Sequence, residues 1–253
     1  MAQPLIIIMD YKAEKITPYG NNESKTSQVR EMFDSIAPAY DFMNRAMTFG
    51  IDKIWRRIAV KKLKARSHKN ILDVATGTGD LAILLHNKLQ PESITGIDLS
   101  AEMLNIAKEK VAKIGLSDKI NFEQGDCLNL KYPDGKFDVV TVAYGVRNFE
   151  HLDQGYSEMH RVINSGGTLC VIELSTPTNP LVLWFYKIYT KFLIPTIGKF
   201  ISKDKRAYSY LPESIAAVPQ GNEMLKIMEK ARFTNCRHYP LTFGVCTIYI
   251  GEK

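Results

Sequence analysis

A glycine turn between an apolar run and a helical pattern carries the first chemistry visible in the sequence. Ile-Leu-Asp-Val precedes Ala-Thr-Gly-Thr-Gly over residues 71–79, and a helical pattern begins at Asp80. Such a strand, turn and helix leave backbone N–H groups and the positive helix end facing whatever lies above the strand tip. In a doubly wound sheet, a nucleotide-like cofactor binds there. The candidate cofactor-binding residues of this turn are Asp73, Thr76, Gly77 and Gly79.

Further polar residues follow the next two predicted strands. Asp98 lies about 20 residues beyond Gly79, the spacing of an acid that binds ribose hydroxyls. Residues 77–82 also satisfy the Gly-x-Gly-x-x-Ala fingerprint, so an NAD(P) site and an S-adenosylmethionine site both fit this turn. Asp126 can accept from an adenine amine, with Cys127 beside it, and the acid before the glycines can influence the amino-acid end of a ligand. These features favour S-adenosylmethionine.

The elements that position these residues alternate between strand and helix, which predicts a mostly parallel α/β sheet. A last strand pair without an intervening helix is predicted to be antiparallel. Ser100 is predicted to cap a helix. The predicted strands span residues 71–74, 93–99, 120–126, 137–143, 168–174, 235–241 and 246–250. The basic residues of the predicted helix 54–63, expected on a solvated outer face, are Arg56, Arg57, Lys61 and Lys62.

The chain is predicted to form one domain, residues 1–253, and this domain is divided into five segments. They are a loosely ordered N-terminus (1–27), a helical lid (28–66), a cofactor-binding core (67–175), an apolar insertion (176–220) and a terminal helix with strands (221–253).

Composition excludes several classes of protein. The chain has 253 residues and a net charge of +6, without a dense basic block interleaved with aromatics, so we expect no nucleic-acid partner. The four cysteines are far apart and lack the spacing of a metal site, so we expect neither a metal nor a disulfide framework and favour a cytoplasmic location. The longest apolar region contains three lysines, which argues against a membrane-spanning helix.

Four blocks of sequence resemble the C-methyltransferases of menaquinone and ubiquinone biosynthesis. They are Tyr40-Asp-Phe-Met-Asn44 with Trp55, the loop from Asp73 to Asp80, Tyr144-Gly-Val-Arg-Asn148, and the run from Arg161 to Ser175. The resemblance extends from about Tyr40 to the C-terminus. It implies a Rossmann-like class I S-adenosylmethionine-dependent methyltransferase with a seven-stranded sheet, an antiparallel last strand, an N-terminal helical cover and an apolar helical insertion.

The sequence departs from that family at three places. Asp52 stands where the family usually has a histidine, so we assign no catalytic role to this position. Ala75 replaces the first loop glycine that is common among methyltransferases, and Asn164-Ser165 replaces a usual Lys-Pro. The last two changes are expected to alter only the detail of the loops.

The resemblance implies C-methylation of a prenylated quinol, 2-demethylmenaquinol in the favoured version. The alternative substrate is 2-methoxy-6-polyprenyl-1,4-benzoquinol. Arg147 is expected to stabilise the oxyanion of the quinol, while Asn148 and Tyr40 orient it. The alternative for Arg147 is a structural salt bridge. Asp41 and Asn44 are weaker candidates, and His151 is expected to be a surface histidine.

The apolar insertion offers a groove for the prenyl tail, lined by Leu181, Trp184, Phe185, Ile188, Phe192 and Leu193. Lys187, Lys191 and Lys203 would then face lipid headgroups, in peripheral contact with the inner face of the membrane. Ordinary core packing and a homodimer contact are equal alternatives. Three other functions stay open: an NAD(P)-dependent oxidoreductase, a non-catalytic quinone or lipid carrier, and a methyltransferase acting on RNA or protein.

Overall fold

The computed structural model describes residues 11–64, 66–193 and 205–253. Within them one sheet has the strand order β3-β2-β1-β4-β5-β7-β6, and β7 runs antiparallel to both of its neighbours. This order confirms the predicted seven-stranded, mostly parallel sheet. The strands are β1 (Asn70–Val74), β2 (Ser93–Asp98), β3 (Ile120–Gln124), β4 (Phe137–Ala143), β5 (Ile163–Leu174), β6 (Thr234–Leu241) and β7 (Cys246–Glu252).

Helices cover both faces of the sheet. Leu72 and Val140 belong to the apolar core on one face, whereas Ile71 and Val139 belong to the core on the other. This alternation is what a strand buried on both sides requires. The α-helices are α1 (Lys12–Lys15), α2 (Lys25–Ile36), α3 (Tyr40–Thr48), α4 (Asp52–Leu63), α5 (Asp80–Leu89), α6 (Ala101–Lys113), α7 (Leu152–Val162), α8 (Pro180–Ile188), α9 (Lys205–Ala217) and α10 (Asn222–Lys230).

Most element boundaries agree with the sequence patterns. The Ser100 side chain accepts a hydrogen bond from the Met103 N–H at 3.1 Å and caps α6, as predicted. β5 begins at Ile163, however, rather than at residue 168. A β-carbon at Gly167 would stand 2.7 Å from the Asp138 carbonyl oxygen, so glycine permits a close approach inside the strand rather than a turn before it.

Residues 11–27 pack against the rest of the domain, whereas the sequence predicts them to be loosely ordered together with residues 1–10. Ala13 is fully buried, and the Glu14 carboxylate accepts from the Leu152 N–H at 2.7 Å, at the start of α7. This acid pairs with a free N–H group at a positive helix end. Local composition does not reveal such a distant partner. Residues 1–10 lie outside the described part of the chain.

Candidate active site

The carboxyl ends of β1, β2 and β3 surround a cavity, here called the cofactor cavity, lined by Gly77, Asp98, Asp126 and Cys127. The Gly77 N–H donates to Asp98 Oδ2 at 2.8 Å, and the Ser100 N–H donates to Asp98 Oδ1 at 2.9 Å. These bonds fix the Asp98 carboxylate in the cavity wall. A carboxylate oxygen accepts more than one hydrogen bond, so Asp98 keeps the capacity to accept from two ribose hydroxyls.

Asp126 and Cys127 occupy the part of this cavity beyond β3. Asp126 Oδ1 accepts from the Leu128 N–H at 2.9 Å, which orients the carboxylate and leaves it further acceptor capacity. Burial raises the pKa of the Cys127 thiol well above its ordinary value, so the thiol stays protonated. This arrangement suits an adenine ring, whose exocyclic amine donates.

Asp73 lies in β1, just before the glycine turn, and its carboxylate forms hydrogen bonds that stabilise the turn. Its two oxygens accept from the Thr76 hydroxyl at 2.6 Å and the Thr141 hydroxyl at 2.5 Å. Thr141 is the β4 residue in register with Asp73, so the sheet itself brings this pair together. Burial raises the pKa of Asp73 to about 6. Asp73 and Thr76 line a smaller polar cavity next to the turn.

Gly79, which the sequence predicts to bind the cofactor, lines none of the cavities described at this edge. It begins α5 with a φ of +79°. A β-carbon at Gly79 would stand 2.9 Å from Phe122 Cζ and 3.2 Å from Ala107 Cβ. The residue therefore allows α5 to pack closely against β3 and α6, which gives Gly79 a packing role, while its part in cofactor binding stays a prediction.

Replacing Gly79 with alanine should lower the free energy of unfolding by about 2–4 kcal/mol, from left-handed strain plus overpacking. Chemical denaturation measures the effect. Gly115→Ala is the matched control, because Gly115 has a φ of +71° but no atom within 4 Å of a built β-carbon. The control should show only the smaller, strain-related loss, and equal losses in the two variants would contradict the packing role.

Ala75, predicted to replace a loop glycine that is common among methyltransferases generally, adopts a φ of +51°, a conformation that glycine would occupy without strain. A β-carbon added to Gly145 would stand 2.7 Å from the β-carbon of Ala75. Gly145 thus provides the space that the Ala75 methyl group fills. The departure at residue 75 leaves the turn in place but depends on a glycine after β4.

Cofactor affinity should depend on pH, because burial raises the pKa of Asp98 to about 6. Only the ionised carboxylate can accept from both ribose hydroxyls, so protonation competes with binding. We expect affinity for S-adenosylhomocysteine to be constant above pH 7 and to fall below pH 6, approaching about tenfold per pH unit. Isothermal titration between pH 5 and 8 tests this. An affinity that stays flat to pH 5 would show that Asp98 does not bind in ionised form.

A second cavity of about 350 Å³, here called the apolar cavity, adjoins the cofactor cavity and falls in the size range of small-molecule sites. Phe33, Tyr40 and Tyr144 line both cavities. Helices α2 and α3 supply one part of the wall, and α8 and α9 supply another. The apolar lining includes Met32, Ile36, Met43, Met47, Trp55, Leu174, Val182, Phe185 and Leu211.

Arg147 carries the single positive charge among the described residues that line the apolar cavity. It is buried, and its Nη1 donates to Glu173 Oε1 at 2.8 Å and to the Tyr144 carbonyl oxygen. Burial alone would lower the pKa of the guanidinium, but Glu173 outweighs this and the pKa is raised. The salt bridge weighed as an alternative is therefore present, while Arg147 Nε has no partner among the described residues.

Asn148 lines the cofactor cavity and not the apolar one. Its Oδ1 accepts from the hydroxyl of Tyr210, a residue of the apolar cavity, at 3.0 Å. That Asn148 orients the quinol stays a prediction. Tyr40 does stand between the cavities, with its ring over the glycine turn, 3.8 Å from a β-carbon built on Gly77. Burial raises the pKa of Tyr40, so its hydroxyl stays protonated.

A cluster of alternating charges ties α3 and α4 to the glycine turn. Arg56 lies 2.5 Å from Asp52 and 3.2 Å from Asp80, and it is buried, not on the solvated face predicted for it. The sequence placed Arg56 wrongly because its partner on α5 is distant in the chain. The cluster comprises Asp41, Arg45, Asp52, Arg56, Asp80 and Lys110.

The sequence analysis did not single out three residues that contact Arg147 or line the cavities. Glu173 holds Arg147, and the buried Lys25 ammonium donates to the Arg147 carbonyl oxygen at 3.0 Å. Tyr144 lines all three cavities, has a φ of +61°, and leaves its buried hydroxyl without a partner among the described residues. Its position directly after β4 was the available signal. His151 is exposed, as expected.

Solved structures show the same fold. A methyltransferase of Thermotoga maritima, described as a possible histamine N-methyltransferase, aligns with a TM-score of 0.64 over 88% of this chain and 99% of that one, at 17% identity. A putative methyltransferase of Methanococcus maripaludis aligns with a TM-score of 0.63 over 87% of this chain and 94% of that one, at 19% identity. These two alignments show that the chain has the Rossmann-like fold of these methyltransferases.

The chain belongs to the ubiE/COQ5 methyltransferase family, whose model matches residues 21–253. A demethylmenaquinone methyltransferase of Bacteroides fragilis is 50% identical over 97% of this chain and all of that protein. A ubiquinone/menaquinone biosynthesis C-methyltransferase of Geotalea daltonii is 43% identical over 90% of this chain and 97% of that protein. The family confirms S-adenosylmethionine as the cofactor and leaves the oxidoreductase alternative without support.

Proposed function

We propose that this enzyme methylates a ring carbon of a prenylated quinol, with 2-demethylmenaquinol as its preferred substrate. The observation that carries the proposal is the junction of the two cavities. Tyr40 and Tyr144 line both, and the buried cation Arg147 stands in the wall of the apolar one. An apolar cavity with one cation suits a substrate that combines a hydrocarbon tail with an acidic hydroxyl.

In this proposal the residues around the glycine turn hold the cofactor. Asp98 accepts from the ribose hydroxyls, Asp126 accepts from the adenine amine, and Cys127 packs beside the ring. The polar cavity that Asp73 and Thr76 line would receive the amino-acid end. When bound, S-adenosylmethionine supplies an electrophilic methyl group on its sulfonium, so the protein must supply alignment and an electron-rich carbon.

Arg147 would help to make the ring carbon electron-rich. A cation beside a quinol hydroxyl lowers its pKa, and loss of that proton pushes electron density onto the neighbouring ring carbon. This carbon would accept the methyl group that bound S-adenosylmethionine supplies, and the ring would then lose its C–H proton and become aromatic again. The balance is one methyl group gained by the quinol, one S-adenosylhomocysteine and one proton released. Tyr40 and Tyr144, both protonated, would orient the ring.

The names of the relatives favour 2-demethylmenaquinol, which is the naphthoquinol of the two candidate substrates, over the benzoquinol. Proteins of Bacteroides fragilis and Porphyromonas gingivalis, 50% and 43% identical to this chain, are both described as demethylmenaquinone methyltransferases. The relative from Geotalea daltonii carries a name that covers both pathways. We therefore rank 2-demethylmenaquinol above 2-methoxy-6-polyprenyl-1,4-benzoquinol.

Transfer of radiolabelled methyl from S-adenosylmethionine to each reduced quinol tests the proposal. We expect label in the naphthoquinol, with turnover at least about tenfold above that of the benzoquinol, a difference of about 1.4 kcal/mol in transition-state binding. Equal rates would contradict the substrate preference. Absence of label in both quinols, despite binding, would favour the carrier alternative. A cytoplasmic location and a homodimer stay predictions.

A further inference from the structure

Exposed apolar side chains surround the mouth of the apolar cavity. The group, here called the rim, comes from the end of α3, from α8 and from the connection between β6 and β7. Phe49 and Phe185 line the cavity and also face solvent, so they mark its mouth. None of the residues of α8 is buried. The rim comprises Phe49, Leu181, Trp184, Phe185 and Phe243.

Two rim residues expose an aromatic side chain to solvent and have a left-handed backbone conformation. Phe49 has a φ of +52° and is 75% exposed, and Phe243 has a φ of +55° and is 80% exposed. Large residues rarely adopt this left-handed conformation, and glycine usually takes it at the end of a helix such as α3. Backbone hydrogen bonds to the Arg45 carbonyl oxygen help to hold Phe49 in this conformation, but the fold buries neither ring. Such strain is characteristic of sites that act on something outside the chain.

The charges carried by two of the rim segments have one sign. Residues 180–193 and 242–245 contain no aspartate or glutamate, whereas Lys187 and Lys191 project from the first of these segments. Lys53 and Arg57, which are exposed on α4, add two more cations. Protein surfaces that lie in the headgroup region of anionic bilayers typically combine aromatic side chains with lysine and arginine.

We propose that the rim docks on an anionic phospholipid bilayer, so that the mouth of the apolar cavity opens toward the lipid. The inference extends the proposed function, since a prenylated quinol dissolves in the bilayer, but the exposure, strain and charge of the rim stand without it. A symmetric dimer through the rim is disfavoured, because it would bring these cations against their own copies. Among the described residues, no helix is long and apolar enough to span a membrane, so docking would be peripheral. Lys203 and the side chain of Leu193 lie outside the described residues.

Co-sedimentation with vesicles, without quinol, tests this surface independently of the reaction. Wild-type protein should bind vesicles of phosphatidylcholine with 30% phosphatidylglycerol at least about tenfold more tightly than pure phosphatidylcholine, with less binding at high salt. The double variant Trp184→Ser/Phe243→Asn should bind the anionic vesicles about 10- to 100-fold more weakly. Neither residue lines the cavity, and asparagine tolerates the left-handed backbone, so this variant should fold and bind S-adenosylhomocysteine normally.

Ile114→Asn is the matched control, because Ile114 is also exposed and apolar but follows the far end of α6, at the opposite edge of the sheet. It should leave vesicle binding unchanged. Vesicle binding that survives the double variant, or no preference for anionic vesicles, would overturn the proposal. So would a lipid-free dimer that the double variant converts to monomer, because the occupant would then be a second copy of the chain. Failure of methyl transfer with normal vesicle binding would instead count against the proposed function alone.

Discussion

Replacing Arg147 with alanine should lower kcat for the quinol about 10²- to 10³-fold, the usual effect of removing a buried group that stabilises a developing oxyanion. The affinity for S-adenosylhomocysteine should change less than about threefold, because Arg147 lines the apolar cavity and not the cofactor cavity. Steady-state kinetics and isothermal titration separate the two effects. Unchanged turnover would reduce Arg147 to the structural partner of Glu173.

A stability control must accompany this variant. Removing Arg147 leaves the buried Glu173 carboxylate without its ion pair, which costs about 3–5 kcal/mol in comparable cases. The double variant Arg147→Ala/Glu173→Gln removes that charge and should regain part of the lost stability without regaining turnover. Arg66→Ala removes an arginine whose partner, Glu252, is at the opposite end of the sheet, and it should leave kcat unchanged.

Replacing Asp98 with alanine should weaken S-adenosylhomocysteine binding about 10²-fold or more, because each hydrogen bond to a charged acceptor contributes about 1.5–3 kcal/mol. The change also removes the acceptor for the Gly77 and Ser100 N–H groups, which loosens the turn. Isothermal titration measures the effect. Asp118→Ala, at an exposed acid before β3, is the control and should bind normally. A loss below about threefold would remove Asp98 from the cofactor site.

The sequence predicted the parts of the molecule that local pattern controls. The strand β4 was predicted with its observed bounds, and Ser100 was predicted as a cap, because alternation and capping depend on residues a few positions apart. For the two cavities, the sequence predicted the kind of ligand and some of the contacting residues, but not the shape of the walls. Their walls combine α2, α3, α8 and α9 with the sheet edge, and no local pattern gives the packing of those helices.

The features that the sequence did not reveal share a physical cause. Gly79 carries the same local signature whether it faces a cofactor or Phe122, since glycine serves any close approach. Arg56 reads as a solvated cation until Asp80 pairs with it. In the sequence, nothing distinguishes Glu173 from other acids near the end of a strand. Its ion pair with Arg147 is visible only in the structure, where β5 places the two side chains together. Each of these features depends on a partner that is remote in the chain and adjacent in space.

The packing of Ala75 against Gly145 constrains how this chain can diverge from its relatives. The two positions share one methyl-sized volume, so only one of them can carry a β-carbon at a time. A lineage that acquires alanine at residue 145 must first have returned residue 75 to glycine, and the reverse order passes through a damaged intermediate. The effect of either substitution thus depends on the genetic background in which it arises.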